Sequence, residues 1–174
     1  GETFSTTFYT FKNNSFKVLS KNKASLGRLY TSVTNLCGLS SSNRGHLKMA
    51  ELSSTGKFIQ KIYDFFVKKV KRRRLRLSIN FELEDVEDLK NILHFSQGIK
   101  KEDLAYTFQE FFTDTIIDLA TSLANITKEN NLAYGGTCAL NHLTNGKILT
   151  HTPFKKLHIP SSPGDNGNSL GALL

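Results

Sequence analysis

The feature that most constrains the fold is a long helical pattern from Asp103 to about Lys128. Large apolar residues recur there three or four positions apart, which places them along one face of a helix. They are Leu104, Phe108, Phe111, Phe112, Leu119 and Leu123. Because aromatic residues in such a stripe belong to the core far more often than to a ligand site, this helix is predicted to lie in the core.

Shorter patterns on either side indicate both helices and strands. The segments TTFYTF and SFKVL alternate in polarity around the Asn pair at 13–14, which predicts a β-hairpin. Helical spacing over 26–37 predicts a helix that stops at Gly38, and a second apolar stripe covers 58–70. Residues 72–81 alternate and predict one strand. The sequence therefore indicates a mixed α/β fold.

The composition permits one sizeable core. With 174 residues, 39% of them hydrophobic, the chain can form one domain or one lobe of a larger domain. No apolar run reaches the length of about 18 residues that a transmembrane helix needs, so no membrane association is expected. The N-terminus lacks the features of a signal peptide, and we expect a cytoplasmic protein. Cys37 and Cys138 lack metal-type spacing and are expected to be free, buried thiols.

The positive charge is concentrated in one segment. The formal net charge is +8, and residues 68–76, KKVKRRRLR, carry seven positive charges, so the rest of the chain is near balance at +1. Residues 82–88 carry five acidic side chains. The basic run is either a solvated loop or hairpin neutralised by this acidic neighbour, or a contact for phosphate or a partner. No RNA-stacking motif accompanies it, so nucleic acid is not expected as a partner.

A Gly-Gly pair lies between a short apolar run and a helical pattern in residues 131–149. A sharp bend from strand to helix favours glycine, and the first turn of the helix leaves N–H groups unpaired. Those N–H groups and the helix dipole attract anions, and Gly135 and Gly136 would let a phosphate or adenosine approach the backbone. Most Gly-Gly pairs are simply turns, so both interpretations stay open at this point.

The last segment, LHIPSSPGDNGNSLGALL, predicts a strand over 157–160, a loop over 161–166 and a helix that begins at Ser169. Asp165 lies among small residues that leave room around its carboxylate. A carboxylate between a strand and a helix can bind a hard metal ion, which neutralises phosphate. The alternative is a plain Pro-Gly-Asp-Asn-Gly turn.

Six segments together resemble one family in order and in sequence. The segments GGTCALNHLTNGKI and IPSSPGDNGNSLGALL resemble the paired motifs of the O-carbamoyltransferases of the NodU, cephamycin and tobramycin type. Upstream, GETFSTTFY, ASLGRLYTSVTNLCGL, LKMAELSSTG and DLAYTFQEFF match further motifs of the family in the same order. The resemblance covers nearly the whole chain.

The resemblance implies an actin-like, sugar-kinase-like (RNase H-like) α/β lobe with a mixed sheet and packed helices. Residues 1–174 would be a single lobe of an incomplete domain, inactive alone, whose upstream metal-ligand region and downstream YrdC-like domain lie outside the chain. In this family the YrdC-like domain makes carbamoyl adenylate from carbamoyl phosphate and ATP. The actin-like domain then passes the carbamoyl group to a hydroxyl of a sugar or another small molecule.

The resemblance also implies roles for individual residues. Four match positions near the nucleotide phosphates: Gly135, Gly136, Asn141 and Gly164. Asp165 matches a ligand of a divalent metal, iron(II) or a similar ion. His46 stands where the family has a Glu that contacts the nucleotide ribose.

Two alternatives to this function remain. The chain could be a non-catalytic binding or scaffold lobe that uses the basic run at 68–76 to hold nucleic acid or an acidic partner. It could also belong to the related tRNA threonylcarbamoyladenosine synthases, although the Leu-Gly-Ala ending fits the small-molecule transferases better. The sequence leaves oligomerisation open.

Overall fold

The computed structural model describes residues 4–39, 45–95 and 98–172. These residues form an α/β structure, as the sequence predicts. In chain order the elements are β1 (Thr6–Lys12), β2 (Ser15–Asn22), α1 (Leu26–Leu36), α2 (Gly45–Ser53), α3 (Gln60–Lys69), β3 (Val70–Arg73), β4 (Arg76–Ile79), α4 (Leu83–Phe95), α5 (Lys101–Thr127), β5 (Asn131–Ala133), a 3-10 turn (Thr137–Leu140), α6 (His142–His151), β6 (Lys156–His158) and α7 (Gly167–Gly171). No helix in the described ranges is long and apolar enough to cross a bilayer.

Helix α5 lies in the core, which confirms the strongest prediction from the sequence. It begins where Asp103 Oδ2 accepts a hydrogen bond from Lys100 N at 2.9 Å, and it ends at Lys128 in a left-handed conformation. Three of its aromatic side chains are at most 1% exposed: Phe108, Phe111 and Phe112. Phe66 of α3 packs on this face, with its ring centre 4.9 Å from that of Phe108. The aromatic stripe is therefore core.

The described strands form three two-stranded sheets rather than the one mixed sheet that was expected. β1 and β2 are antiparallel around a turn at Asn13 and Asn14, as predicted. β3 and β4 are antiparallel as well. β5 and β6 are parallel. The Asn22 side chain joins the first two sheets, because its Nδ2 donates to Leu75 O and its Oδ1 accepts from Leu77 N, each at 2.9 Å.

The single strand predicted for 72–81 is wrong, because the chain reverses at Arg74 and Leu75. Arg74 has φ +55°, and the two arms become β3 and β4. This turn lacks the usual turn residues, and the Asn22 amide binds both the turn, at Leu75 O, and the second arm, at Leu77 N. The tertiary contact therefore decides where the strand breaks.

Two side chains in the basic run are neutralised by acidic residues. Lys69 Nζ lies 2.5 Å from Asp85 Oδ1, and Arg72 Nη2 lies 3.1 Å from Asp118 Oδ2. The hydrogen bond with Asp85 raises the pKa of Lys69. Burial opposes ionisation of Asp85, but hydrogen bonds from Lys69 and the Glu82 amide outweigh it and lower the pKa of Asp85. These contacts favour the structural interpretation of the run.

One close backbone approach gives a sharp test of the fold. A Cβ on Gly56 would lie 2.0 Å from Glu102 O at the start of α5, whereas a Cβ on Gly146 in α6 would meet open space. We predict that Gly56→Ala lowers the free energy of unfolding by about 3 kcal/mol through overpacking against backbone. Gly146→Ala should instead stabilise by up to about 1 kcal/mol.

Urea denaturation of both variants and the wild type measures these changes. Equal stability of Gly56→Ala and wild type would show that the segment between α2 and α3 does not pack closely against α5.

Candidate functional site

Two glycine-containing loops leave the same end of the β5–β6 pair. Because these strands are parallel, their carboxyl ends meet at one edge, where ligands of open α/β sheets usually bind. Tyr134 N donates to His158 O at 2.9 Å and continues the ladder past the strands. Gly136 N then donates to Pro163 O at 2.6 Å. The structure thus brings the Gly-Gly segment and the segment before Asp165 into direct contact.

The glycines in these loops are required to different degrees. Gly136 has φ +92° and ψ 170°, a conformation that essentially only glycine adopts. A Cβ on Gly135 or Gly164 would make ordinary contacts, at 4.0 Å from Pro163 O and 3.7 Å from Leu140 Cδ1. Gly136 is therefore the position at which the bend depends on glycine.

The bend exposes backbone donors beside this contact. Within the described ranges, the N–H groups of Gly135, Thr137 and Cys138 have no hydrogen-bond acceptor, whereas that of Gly136 is bound to Pro163 O. Residues 135–137 are exposed. Free N–H groups at a turn are positively polarised and can receive an anion. The N–H groups of Gly135, Thr137 and Cys138 are therefore candidate anion-binding groups.

Asn141 anchors the helix that follows the bend. Its Oδ1 accepts a hydrogen bond from Thr144 N at 3.0 Å, which caps α6. Its amide also pairs reciprocally with Gln109 of α5: Asn141 Nδ2 donates to Gln109 Oε1 at 2.9 Å, and Gln109 Nε2 donates to Asn141 Oδ1 at 3.2 Å. Both ends of the Asn141 amide are thus in use. The structure gives it a positioning role beside the Gly-Gly bend.

Gln109 lies in the matched segment DLAYTFQEFF, but the sequence assigned it no role. It is 3% exposed among aromatic side chains, and its Oε1 also accepts a hydrogen bond from Tyr30 Oη at 3.1 Å. Its Nε2 further contacts the hydroxyls of Thr113 and Thr144. Burial raises the pKa of Tyr30, so the phenol stays a neutral donor. The available signal was a glutamine within an otherwise apolar helical stripe.

The acidic residue predicted as a metal ligand stands alone. Asp165 is exposed, and its carboxylate has no hydrogen-bond or salt-bridge partner in the described part of the chain. No group of three His, Cys, Asp or Glu side chains among the described residues could hold a metal ion. His46 belongs to α2 by its backbone, but its side chain lies outside the described part.

Both cysteines are free thiols, as predicted, with Cys37 buried and Cys138 partly buried. Burial raises the pKa of Cys37 to about 12 and that of Cys138 to about 11. Since the thiolate is the nucleophile, these raised pKa values favour the less reactive thiol form of both residues near neutral pH. The position of Cys138 after the Gly-Gly pair therefore does not indicate covalent catalysis.

Residues 1–174, the whole chain, match the model of the family described as carbamoyltransferase N-terminus. The chain belongs to this family. That membership agrees with the resemblance of the sequence motifs to the carbamoyltransferases. The chain is also similar to an uncharacterized protein of Methanocaldococcus jannaschii, with 27% identity over 154 residues, which cover 87% of this chain. The matched part spans 25% of the length of that relative.

A double-mutant cycle tests the link between α5 and the bend. Gln109→Ala and Asn141→Ala each leave buried polar groups without partners, which costs about 1–3 kcal/mol. Because the two amides bind each other, we predict a coupling free energy of about 1–2 kcal/mol in the double variant. Denaturant unfolding of the four proteins gives this value, and additive effects would contradict the paired geometry.

Proposed function

We propose that this chain is part of an ATP-dependent O-carbamoyltransferase with an actin-like, sugar-kinase-like domain. The contact of the two loops through Gly136 N and Pro163 O carries the proposal, because it gathers free backbone donors at one edge of a parallel strand pair. Family membership supports the transfer of a carbamoyl group. The chain spans a quarter of the relative's length, so the complete enzyme would require polypeptide outside residues 1–174.

In the proposed reaction the carbamoyl group comes from carbamoyl adenylate, which another domain makes from carbamoyl phosphate and ATP. A hydroxyl oxygen of a sugar or other small molecule attacks the carbamoyl carbon. The new C–O bond forms, the bond between that carbon and the phosphate oxygen breaks, AMP leaves, and the hydroxyl proton passes to solvent. The N–H groups of Gly135, Thr137 and Cys138 would bind the phosphate and stabilise its charge as AMP departs.

The proposed divalent metal, iron(II) or a similar ion, would neutralise phosphate charge when bound. The described residues do not compose a complete site for it, because Asp165 supplies one carboxylate without neighbouring ligands. Such an ion needs several ligands, so we propose that Asp165 is one ligand and that the others come from polypeptide outside the chain. Gly164 and His46 remain proposed nucleotide contacts.

Binding of ATP tests the proposed phosphate site directly. We predict that millimolar ATP shifts the amide resonances of Gly135, Thr137 and Cys138 in ¹⁵N-labelled protein. Gly136→Ala should remove these shifts, because a side chain at φ +92° forces the bend to change. Gly146→Ala is the matched control, since its Cβ meets nothing. Shifts confined to other residues, or equal shifts in both variants, would reject this site.

Metal affinity tests the role of Asp165. We predict that Asp165→Asn, in the longest natural polypeptide that contains this sequence, weakens binding of iron(II) or manganese(II) by at least about tenfold in calorimetry, because it removes an anionic oxygen ligand. Asp88→Asn is a control with the same charge change at another exposed position. Unchanged metal affinity in the Asp165 variant would reject the assignment.

A further inference from the structure

The β3–β4 hairpin carries positive charge that makes no contact within the fold. Lys69 and Arg72 form salt bridges with acidic side chains of α4 and α5, and Lys68 lies in the last turn of α3, where the helix dipole favours a cation. The other four cations of residues 68–76 are exposed and, within the described ranges, have no salt bridge or hydrogen bond. These four, here called the basic face, are Lys71, Arg73, Arg74 and Arg76.

The basic face is one continuous surface of the hairpin. Arg73 lies directly opposite Arg76, and Lys71 lies opposite Ser78. Directly opposite residues of an antiparallel pair project from the same face, so these side chains share one side of the ribbon. Arg74 stands at the turn between the two strands. On the other side of the ribbon, Val70 and Leu77 are buried. The hairpin therefore directs its cations to solvent and its apolar side chains to the core.

Two features of the basic face are unfavourable for the isolated hairpin. Like charges directly opposite in an antiparallel pair repel each other, so the pairing of Arg73 with Arg76 weakens the hairpin. Arg74 has φ +55°, in the left-handed region where glycine or asparagine is the usual residue. Three arginines thus occupy a turn at which local structure disfavours them. Such conflicts between local preference and fold are characteristic of functional positions.

We propose that the basic face binds the phosphate backbone of a nucleic-acid duplex. A guanidinium group can bind a phosphate through two parallel hydrogen bonds, and phosphate between Arg73 and Arg76 would remove their repulsion. Alternate residues of a strand lie about 7 Å apart, so Lys71 and Arg73 can reach separate phosphates. Contacts of this kind bind nucleic acid without reading its sequence. This inference goes beyond the proposed function and does not rest on nucleotide binding.

The chemistry of the basic face favours a duplex over other anionic partners. Protein interfaces have an apolar or aromatic centre, and surfaces that bind membranes insert apolar side chains, but every exposed side chain in residues 70–79 is charged or polar. Single strands stack their bases on aromatic side chains, and residues 70–79 contain none. In a duplex the bases already stack on each other. The lack of an RNA-stacking motif in the sequence therefore does not argue against a duplex.

The salt dependence of binding tests this inference. We predict that the longest natural polypeptide that contains this sequence binds a duplex of about 20 base pairs, with an affinity that falls steeply between about 50 and 200 mM salt. The triple variant Arg73→Gln/Arg74→Asn/Arg76→Gln should bind at least about tenfold more weakly at the lower salt concentration. The slope of log affinity against log salt should shrink by about 3, because three phosphate contacts are lost. Fluorescence anisotropy of a labelled duplex measures both, and an affinity independent of salt would overturn the proposal.

A matched triple variant separates the basic face from net charge. Lys17→Gln/Lys48→Gln/Lys155→Gln removes three exposed cations at other positions and should change the slope by less than about 1. Equal losses in the two triple variants would overturn the proposal. Gly136→Ala changes the proposed phosphate site of the Gly-Gly bend and should leave duplex affinity unchanged. A loss of duplex affinity in that variant would place the duplex at the bend and also overturn this inference.

Stability distinguishes a binding role from a structural role. The arginine triple variant removes the like-charge repulsion and replaces Arg74 by asparagine, which tolerates the left-handed conformation. We therefore expect it to unfold at a higher temperature than wild type while it binds the duplex more weakly. A lower unfolding temperature together with weaker binding would indicate that the arginines hold the fold, and it would overturn the proposal.

Other anionic ligands complete the test at the same salt concentration. They are a single strand of the same sequence, poly-glutamate, and vesicles of equal parts phosphatidylserine and phosphatidylcholine. Tighter binding of any of these than of the duplex would assign the basic face to that ligand and overturn the proposal. Duplexes of DNA and of RNA share the phosphate backbone, so binding of either supports the proposal, and the tighter of the two identifies the source.

Discussion

The buried amide of Gln109 is the interaction on which the site depends. It lies on α5 among phenylalanine side chains, binds Tyr30 of α1, and pairs with the Asn141 amide that caps α6. A buried amide without partners is costly, so these contacts permit one arrangement of the three helices. Because Asn141 follows the Gly-Gly bend closely, the core fixes where the bend lies.

The Gly-Gly bend and the loop after β6 are joined by backbone contacts. The parallel β5–β6 pair sets the direction of both segments, and Gly136 joins them through its N–H while its own conformation requires glycine. Among the described residues, the neighbouring N–H groups of Gly135, Thr137 and Cys138 have no acceptor, and the proposed anion site consists of these backbone groups. Asp165 lies in the adjoining loop but is isolated, so metal chemistry would need ligands from elsewhere.

Local periodicity predicted the helices and strands that have a clear pattern of apolar residues in their own sequence. The first hairpin, α1 and α5 have clear repeats and recognisable ends, and the structure contains all three. Helices α2 and α4 were missed, since α2 has little segregation of polar and apolar residues and α4 is rich in acidic residues. The turn at Arg74 was missed because a distant residue, Asn22, binds the turn at Leu75 O and the second arm at Leu77 N. Motifs indicated the two loops, but the pairing of Gln109 with Asn141 is a tertiary contact that spacing does not reveal.

The central claim is that the Gln109 amide fixes the conformation of both loops. Glycine-selective ¹⁵N spectra of wild type and Gln109→Leu test it most directly, because Gly135, Gly136 and Gly164 report on the loops and Gly38 and Gly98 report on distant turns. We expect the three loop glycines to shift while the two distant glycines keep their positions. Unchanged loop resonances in a folded Gln109→Leu protein would contradict the claim.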